Sequence, residues 1–258
     1  MKTSSPPFAG TEVAWTRLIS EQQWAVFNAG SGALEAAGVR LLVGGAMALA
    51  HYTQRFRNTK DIDVIIHPRD REHAISALLG AGFEDYFGRE AYDRSWIFRT
   101  YKDGIIFDVI WDLPNHRVAI DEAWFERAQL TRLRDRDFLT VPLEELIRVK
   151  LYVFQRARCD WIDILNLLAT SCTEIDWSWL VARMGRDLPL LHGLLAVFNW
   201  MCPERGMAIP PWLRQQFALP AAASEKENLS AMEERRVRVL DSRAWFAPFQ
   251  PLDQLMQL

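Results

Sequence analysis

The chain has few of the residues that build metal clusters and cross-links. Its 258 residues include three cysteines and five histidines. Cys159, Cys172 and Cys202 form no C-x-x-C pair and the histidines follow no ligand spacing, so neither a zinc framework nor a disulfide scaffold is indicated. A reducing cytoplasm is the expected setting. No run of about 18 apolar residues occurs, and the opening MKTSSPPFAG lacks an apolar signal core, so neither a membrane span nor secretion is expected. Net charge is scarce as well. Thirty Lys plus Arg against 33 Asp plus Glu leave −3, and no global basic field points to duplex nucleic acid as an obligatory partner, although a local basic groove stays open. What is plentiful is apolar surface: half of the residues are hydrophobic, enough for a substantial core in one large domain or two modest ones. The eleven scattered tryptophans read as packing.

The chain changes character along its length. Trp15, Leu18, Trp24, Phe27 and Leu34 recur at helical spacing over residues 11–37, with Gly30 and Gly32 expected to interrupt the helix. The run Val39 to Val43 is a short buried strand, Gly44 and Gly45 a turn, and Ala46 to Tyr52 a helix. A second strand covers Asp61 to Ile66, and the helix that follows ends at Gly80 or Gly82. SWIFRTY and IIFDVIWD, joined by KDG, form a hairpin. A short helix around Asp121 to Arg127 and one or two short strands in LTRLRDRDFLTVP complete this half. From Leu143 onward LEELIRVKLYVFQ, WIDILNLLA, WSWLVARM and LLHGLLAVFNW read as successive helices. AAASEKEN is then an exposed connection before a final amphipathic segment through Leu240. The predicted class is α+β: a mixed β-sheet flanked by helices, followed by a helical C-terminal domain. Its segments are 1–37, 38–141 and 142–258.

Two aspartates one residue apart open the second strand. Residues i and i+2 of a strand share a face, so Asp61 and Asp63 project together while Ile62, Val64 and Ile66 enter the apolar layer. Their Cα atoms lie roughly 6.5 to 7 Å apart, close enough for the carboxylates to converge on divalent ions about 3.5 to 4 Å apart. Without a cation one of the two would take up a proton at a cost in stability. Asp108, hemmed in by Phe107, Val109 and Ile110, is the candidate third acid. Asp112 lies on the same face but roughly 13 Å along the strand, where turn capping is its expected work.

This ordered series, VGGAMALAHY, RFRNTKDIDVII and IIFDVIWD, resembles the nucleotidyltransferase fold of the DNA polymerase beta superfamily. The loop R-x-T-x-D-I-D, carried by Arg57, Thr59, Asp61, Ile62 and Asp63, is most similar to the bacterial AbiEii-type nucleotidyltransferases. More distant relatives are the aminoglycoside nucleotidyltransferases. The resemblance covers roughly residues 38–170. It implies that Gly44 and Gly45 hold a nucleoside triphosphate, ATP among them. It implies further that Asp61 and Asp63 bind two Mg2+ ions, with Mn2+ as a substitute, and that Asp108 binds one of them and activates the acceptor hydroxyl. The acceptor stays open among an RNA end, a protein and a small hydroxylated molecule, and a toxin role would bring a cognate antitoxin as partner.

The remaining candidates have alternatives. Arg57 stands four residues ahead of Asp61, where its planar fork can reach a triphosphate, and Thr59 joins it as a phosphate contact. Lys150 interrupts the apolar face of Leu143, Ile147 and Phe154; the anion it needs is a protein carboxylate or a nucleotide phosphate, unless it snorkels to solvent. Asp160 and Asp163, one turn apart near Arg156 and Arg158, read as an ion-paired connection between two helices. His51 reads as a hydrogen-bonded structural residue. The alternatives to a nucleotidyltransferase are a non-catalytic nucleotide- or partner-binding module of the same fold and a metal-dependent phosphohydrolase.

Overall fold

The computed structural model describes residues 14–56, 59–220 and 231. The chain divides into two compact units, Met1–Pro142 and Leu143–Leu258. The connection AAASEKEN and the segment through Leu240 lie outside the described residues, apart from Ala231.

The first unit is built on a seven-stranded mixed sheet. Its elements run α1 (Glu21–Ala36), β1 (Leu41–Val43), α2 (Gly45–Thr53), β2 (Asp61–Ile66), α3 (Arg71–Gly80), β3 (Glu84–Asp85), β4 (Ile97–Lys102), β5 (Ile105–Ile110), α4 (Glu122–Glu126), β6 (Gln129–Leu133) and β7 (Arg136–Thr140). The strands lie in the order β3-β4-β5-β2-β1-β7-β6. β2 runs parallel to β5 and β1 parallel to β7; the other neighbours are antiparallel. The hairpin β4–β5 turns on Asp103 and Gly104, both at positive φ (48° and 82°), as a two-residue loop that follows the strand twist requires. LTRLRDRDFLTVP supplies the second hairpin, β6–β7.

The sequence sets residues 1–37 apart as a segment of their own, but α1 packs onto the sheet. It opens with a capping box: the Gln23 backbone N–H donates to Ser20 Oγ at 3.2 Å, and the Ser20 N–H donates to Gln23 Oε1 at 3.1 Å. Trp24 and Phe27 pack against Phe138 of β7, the Phe27 and Phe138 rings 4.7 Å apart. Gly30 and Gly32 do not interrupt the helix, which runs unbroken to Ala36. Burial against the sheet outweighs the weak helix propensity of glycine, and Gly30 has a packing reason to lack a side chain: a Cβ there would stand 2.7 Å from Phe107 Cζ of β5. Phe107 is fully buried, as are its neighbours Val109, Val64 and Ile66. By strand alternation the acids of β2 and β5 project from the face opposite Phe107.

The second unit is helical: α5 (Leu143–Leu151), α6 (Trp161–Ser171), α7 (Trp177–Met184), α8 (Leu188–Met201), α9 (Pro203–Gly206) and α10 (Pro211–Gln216). Its core is apolar at Ile147, Leu151, Ile164, Leu168, Leu180, Leu191, Leu195 and Phe198. The α5 helix is shorter than its periodicity suggests, because Tyr152 to Cys159 form a loop closed by a bridge between Phe154 and Cys159. Phe154, placed by periodicity on the apolar face of that helix, is instead 66% exposed and stacks on Trp161.

The two glycines of α1 make a matched test. Gly30→Ala should destabilise the protein by about 1–2 kcal/mol, because the clash with Phe107 exceeds the gain in helix propensity. A Cβ added at Gly32 would meet no atom within 4 Å, so Gly32→Ala should stabilise by up to about 1 kcal/mol. Urea unfolding of the two variants beside the wild type reads both signs.

Candidate active site

Three carboxylates from two strands meet on one face of the sheet. The parallel pairing of β2 with β5 sets Asp61 beside Ile106 and Asp63 beside Asp108. Asp61, Asp63 and Asp108 each offer one carboxylate oxygen, and those oxygens lie within 4.8 Å of one another. Asp108 is 1% exposed, whereas Asp61 and Asp63 are partly open to solvent. Hard oxygen donors converging in this way suit a divalent cation such as Mg2+ or Mn2+, and the cluster includes no His or Cys that would favour zinc.

A fourth charged group belongs to the cluster. Arg99 of β4 is the register partner of Asp108. Its Nε donates to both Asp108 oxygens, at 3.0 and 3.2 Å, and its Nη2 donates to Oδ2 at 2.6 Å. The backbone N–H of Arg99 donates to the Tyr92 hydroxyl at 3.1 Å, which holds this point of the strand. Burial pushes the Asp108 carboxyl above the usual carboxylate range; Arg99 opposes that shift and the Asp61 charge adds to it. The Arg99 guanidinium is raised in turn, first by its hydrogen bonds to Asp108, with the charges of Asp108, Asp61 and Asp63 contributing against its own burial. A fork bonded to both oxygens fits the ionised carboxylate, which accepts at each. Arg99 is not among the residues singled out from the sequence, yet the signal is there. A two-residue hairpin loop pairs Lys102 with Ile105, and counting back along both strands brings Arg99 opposite Asp108.

The Gly-Gly turn abuts the second aspartate. Gly44 is the N-cap of α2 without a side-chain cap, and its N–H donates to the Asp63 carbonyl at 2.9 Å. Gly45 has φ +51°, and a Cβ there would fall 1.8 Å from Asp63 Oδ2. Glycine is thus required twice over, by backbone conformation and by the carboxylate beside it. Thr59, expected at a phosphate, donates from Oγ1 to Asp61 Oδ1 and so orients the first acid. Gln23 of α1 donates from Nε2 to the Thr59 carbonyl at 2.6 Å, tying the loop to the helix beneath it. Arg57 lies outside the described residues.

Other candidates serve elsewhere. Of the anions open to Lys150, the structure has protein carboxylates: its buried Nζ donates to Asp163 Oδ2 at 2.7 Å and to Asp160 Oδ2 at 3.2 Å, within the helical unit. Arg158 closes the network on Asp160 at 2.9 and 3.0 Å. Burial alone would raise the Asp160 carboxyl; Arg158 and Lys150 outweigh it and hold it below its ordinary range. With its charge compensated in this way, Lys150 has a structural role in this geometry. Asp112 receives the Leu113 N–H at 2.8 Å and pairs with His116 at 2.6 Å, at the strand end. His51 Nδ1 lies 3.0 Å from Thr131 Oγ1, which lies 2.5 Å from Thr140 Oγ1, so it links α2 to the β6–β7 hairpin. Burial lowers its pKa to about 4.

Comparison with known proteins adds a family. A family model described as uncharacterised nucleotidyltransferase matches residues 31–201. Among solved structures, the chain is similar to the antibiotic-resistance factor ANT(2'')-Ia, at 15% identity over 66% of this chain and 96% of that one, TM-score 0.45. It is similar to the lincosamide antibiotic adenylyltransferase LnuA at 14% identity, over 58% and 96% of the two chains, TM-score 0.41. An antigenic nucleotidyltransferase-like protein from Paracoccidioides brasiliensis is 15% identical over 80% and 96%, TM-score 0.47. No curated protein sequence matches the chain.

Two outcomes follow from the site's surroundings. Gly45→Ala should displace the Asp63 carboxylate and lower any metal-dependent turnover by about a hundredfold, the usual cost of a misplacement near 1 Å; circular dichroism should report a retained fold. His51 is neutral in the folded protein and binds a proton more readily when unfolded, so its contribution to stability is intact above about pH 6.5 and lost as pH falls toward about 4. Melting curves across that range should show His51→Gln losing less stability on acidification than the wild type.

Proposed function

The chain belongs to the family of uncharacterised nucleotidyltransferases, and from that premise we propose that it transfers a nucleoside monophosphate from a nucleoside triphosphate to an acceptor hydroxyl, releasing pyrophosphate. The observation that carries this reading is the convergence of three carboxylate oxygens within 4.8 Å on the sheet face beside an uncapped Gly-Gly helix start.

In this reading Asp61, Asp63 and Asp108 hold two Mg2+ ions, for which Mn2+ can substitute. Those ions, when bound, supply Lewis-acid activation of the acceptor hydroxyl and charge compensation for the departing pyrophosphate. The chain's own residues place and neutralise. Thr59 keeps Asp61 turned toward its neighbours, Gly45 leaves room for Asp63, and the N-terminus of α2 offers backbone N–H groups to the triphosphate. Asp108 takes the acceptor proton, a role its burial suits by raising its basicity. Arg57 is assigned to the triphosphate on the sequence pattern.

The acceptor belongs among RNA ends, proteins and small hydroxylated molecules, with ATP as the first donor to assay. The likeness of the loop to AbiEii-type enzymes adds a cognate antitoxin as a partner to be sought. We place the reaction in the cytoplasm, a compartment in keeping with three cysteines that form no disulfide. Among the described residues no helix is long and apolar enough to cross a membrane. One observation favours the non-catalytic module instead: Arg99 already neutralises Asp108.

Purified protein incubated with Mg2+, each α-labelled nucleoside triphosphate and candidate acceptors should release pyrophosphate and label an acceptor. Asp61→Asn and Asp63→Asn should each lower the rate by at least about a thousandfold. Circular dichroism should report a retained fold for both. Release of inorganic phosphate without a labelled acceptor would assign a phosphohydrolase. Nucleotide binding without turnover would assign the binding module.

A further inference from the structure

Arg99 is given no part in the transfer reaction above, yet it makes three hydrogen bonds to the cluster. Its side chain is one-third exposed while its partner Asp108 is 1% exposed, so the arginine reaches in from the rim to a buried anion. The Nε group touches both carboxylate oxygens, and Nη2 takes the shortest contact on Oδ2. Any cation that coordinates Asp108 must therefore share an oxygen that Nε already engages. Coulombic coupling extends from Arg99 to Asp61 and Asp63 as well. One guanidinium is thus tied to all three carboxylates, to one by contact and to two through its charge.

We propose that Arg99 is a positioning residue for nucleotidyl transfer, acting as a resident counter-ion of Asp108: its fork holds the carboxylate aimed while no divalent ion is present, and it competes with that ion for the Asp108 oxygens. The inference rests on the metal-dependent reading of the site. Its chemistry is an exchange of counter-ions, with no bond made or broken. Asp108 would share an oxygen between Arg99 and a bound divalent ion, and the Nε contact to that oxygen would weaken as the ion is held. Arginine suits this exchange better than lysine because its planar fork fixes the carboxylate plane, which a point charge on a flexible stem does not. An ordinary structural ion pair would stabilise the protein equally with and without metal. A counter-ion stabilises it chiefly without.

The test compares wild type, Arg99→Met and Arg99→Lys, with melting temperature and Mn2+ affinity measured in EDTA and across a Mn2+ titration. Arg99→Met should melt lower in EDTA and recover most of the loss at saturating Mn2+, giving a metal-induced shift at least roughly 2–4 °C larger than that of the wild type. Its Mn2+ dissociation constant should tighten by about tenfold as a competing charge is removed. Arg99→Lys should keep a wild-type metal response yet turn over more slowly, since the charge remains and the fork is lost. On the wild type itself, the Arg99 Nε–H should exchange with solvent about tenfold faster once Mg2+ saturates the site; this measurement decides the matter if Arg99→Met does not fold. Equal losses of stability with and without Mn2+, identical metal responses for the Met and Lys variants, or an Nε–H unmoved by Mg2+ would each overturn the proposal. A change confined to nucleotide affinity would overturn it too, by assigning Arg99 to phosphate. If the wild-type chain binds no Mn2+ at all, the metal-dependent reading fails with it; if it binds Mn2+ and the variants respond as the wild type does, the Arg99 inference alone fails.

Discussion

Mutual repulsion among three carboxylates is the constraint around which the first unit is arranged. Like charges gathered within 4.8 Å oppose folding unless something positive is supplied, and one of them, Asp108, is also buried. The sheet accepts this because β2 and β5 run parallel and in register, an arrangement secured by apolar partners on the opposite face, Ile62 beside Phe107 and Val64 beside Val109. Burial on one face of the sheet thereby holds charge together on the other. A fold that placed its acids on loops would let them drift apart; strands packed against α1 do not.

The helical unit deals with buried charge differently. Lys150 is paired with Asp160 and Asp163, Arg158 completes Asp160, and Glu145 is held by both Arg148 and Arg183. In these groups every acid has a cation close by, and the cost of desolvation is met by partners from the same unit. In the sheet cluster Arg99 is bonded to Asp108, and its charge is felt at Asp61 and Asp63 as well.

Much of this is legible in the sequence because it is local. Alternation of apolar and acidic residues in DIDVII announces both a strand and the shared face of Asp61 and Asp63. The Asp103–Gly104 turn announces a hairpin, and WSWLVARM has the bounds of α7. The α+β class and the mixed sheet follow from the same patterns. What stays hidden depends on distant partners. Gly30 looks like a helix breaker because its reason, Phe107, lies on a strand far along the chain. The bond from the Thr59 hydroxyl to Asp61 depends on the path of the loop, which residue pattern alone does not fix. For Lys150 periodicity establishes that an anion is needed, and only the return of the chain at Asp160 and Asp163 says which. Phe154 falls on the wrong face because helical periodicity does not mark where a helix stops.

The loop between β4 and β5 has a consequence out of proportion to its size. Two residues, Asp103 and Gly104, set which rungs of the hairpin ladder face each other, and so bring an arginine rather than a neighbour opposite Asp108. Slide that ladder by a single rung and Phe98 or Thr100 would stand there instead, leaving a buried anion against a side chain with no charge to offer. This two-residue bend is therefore a gauge, and the length it measures is the one by which charge is balanced at Asp108.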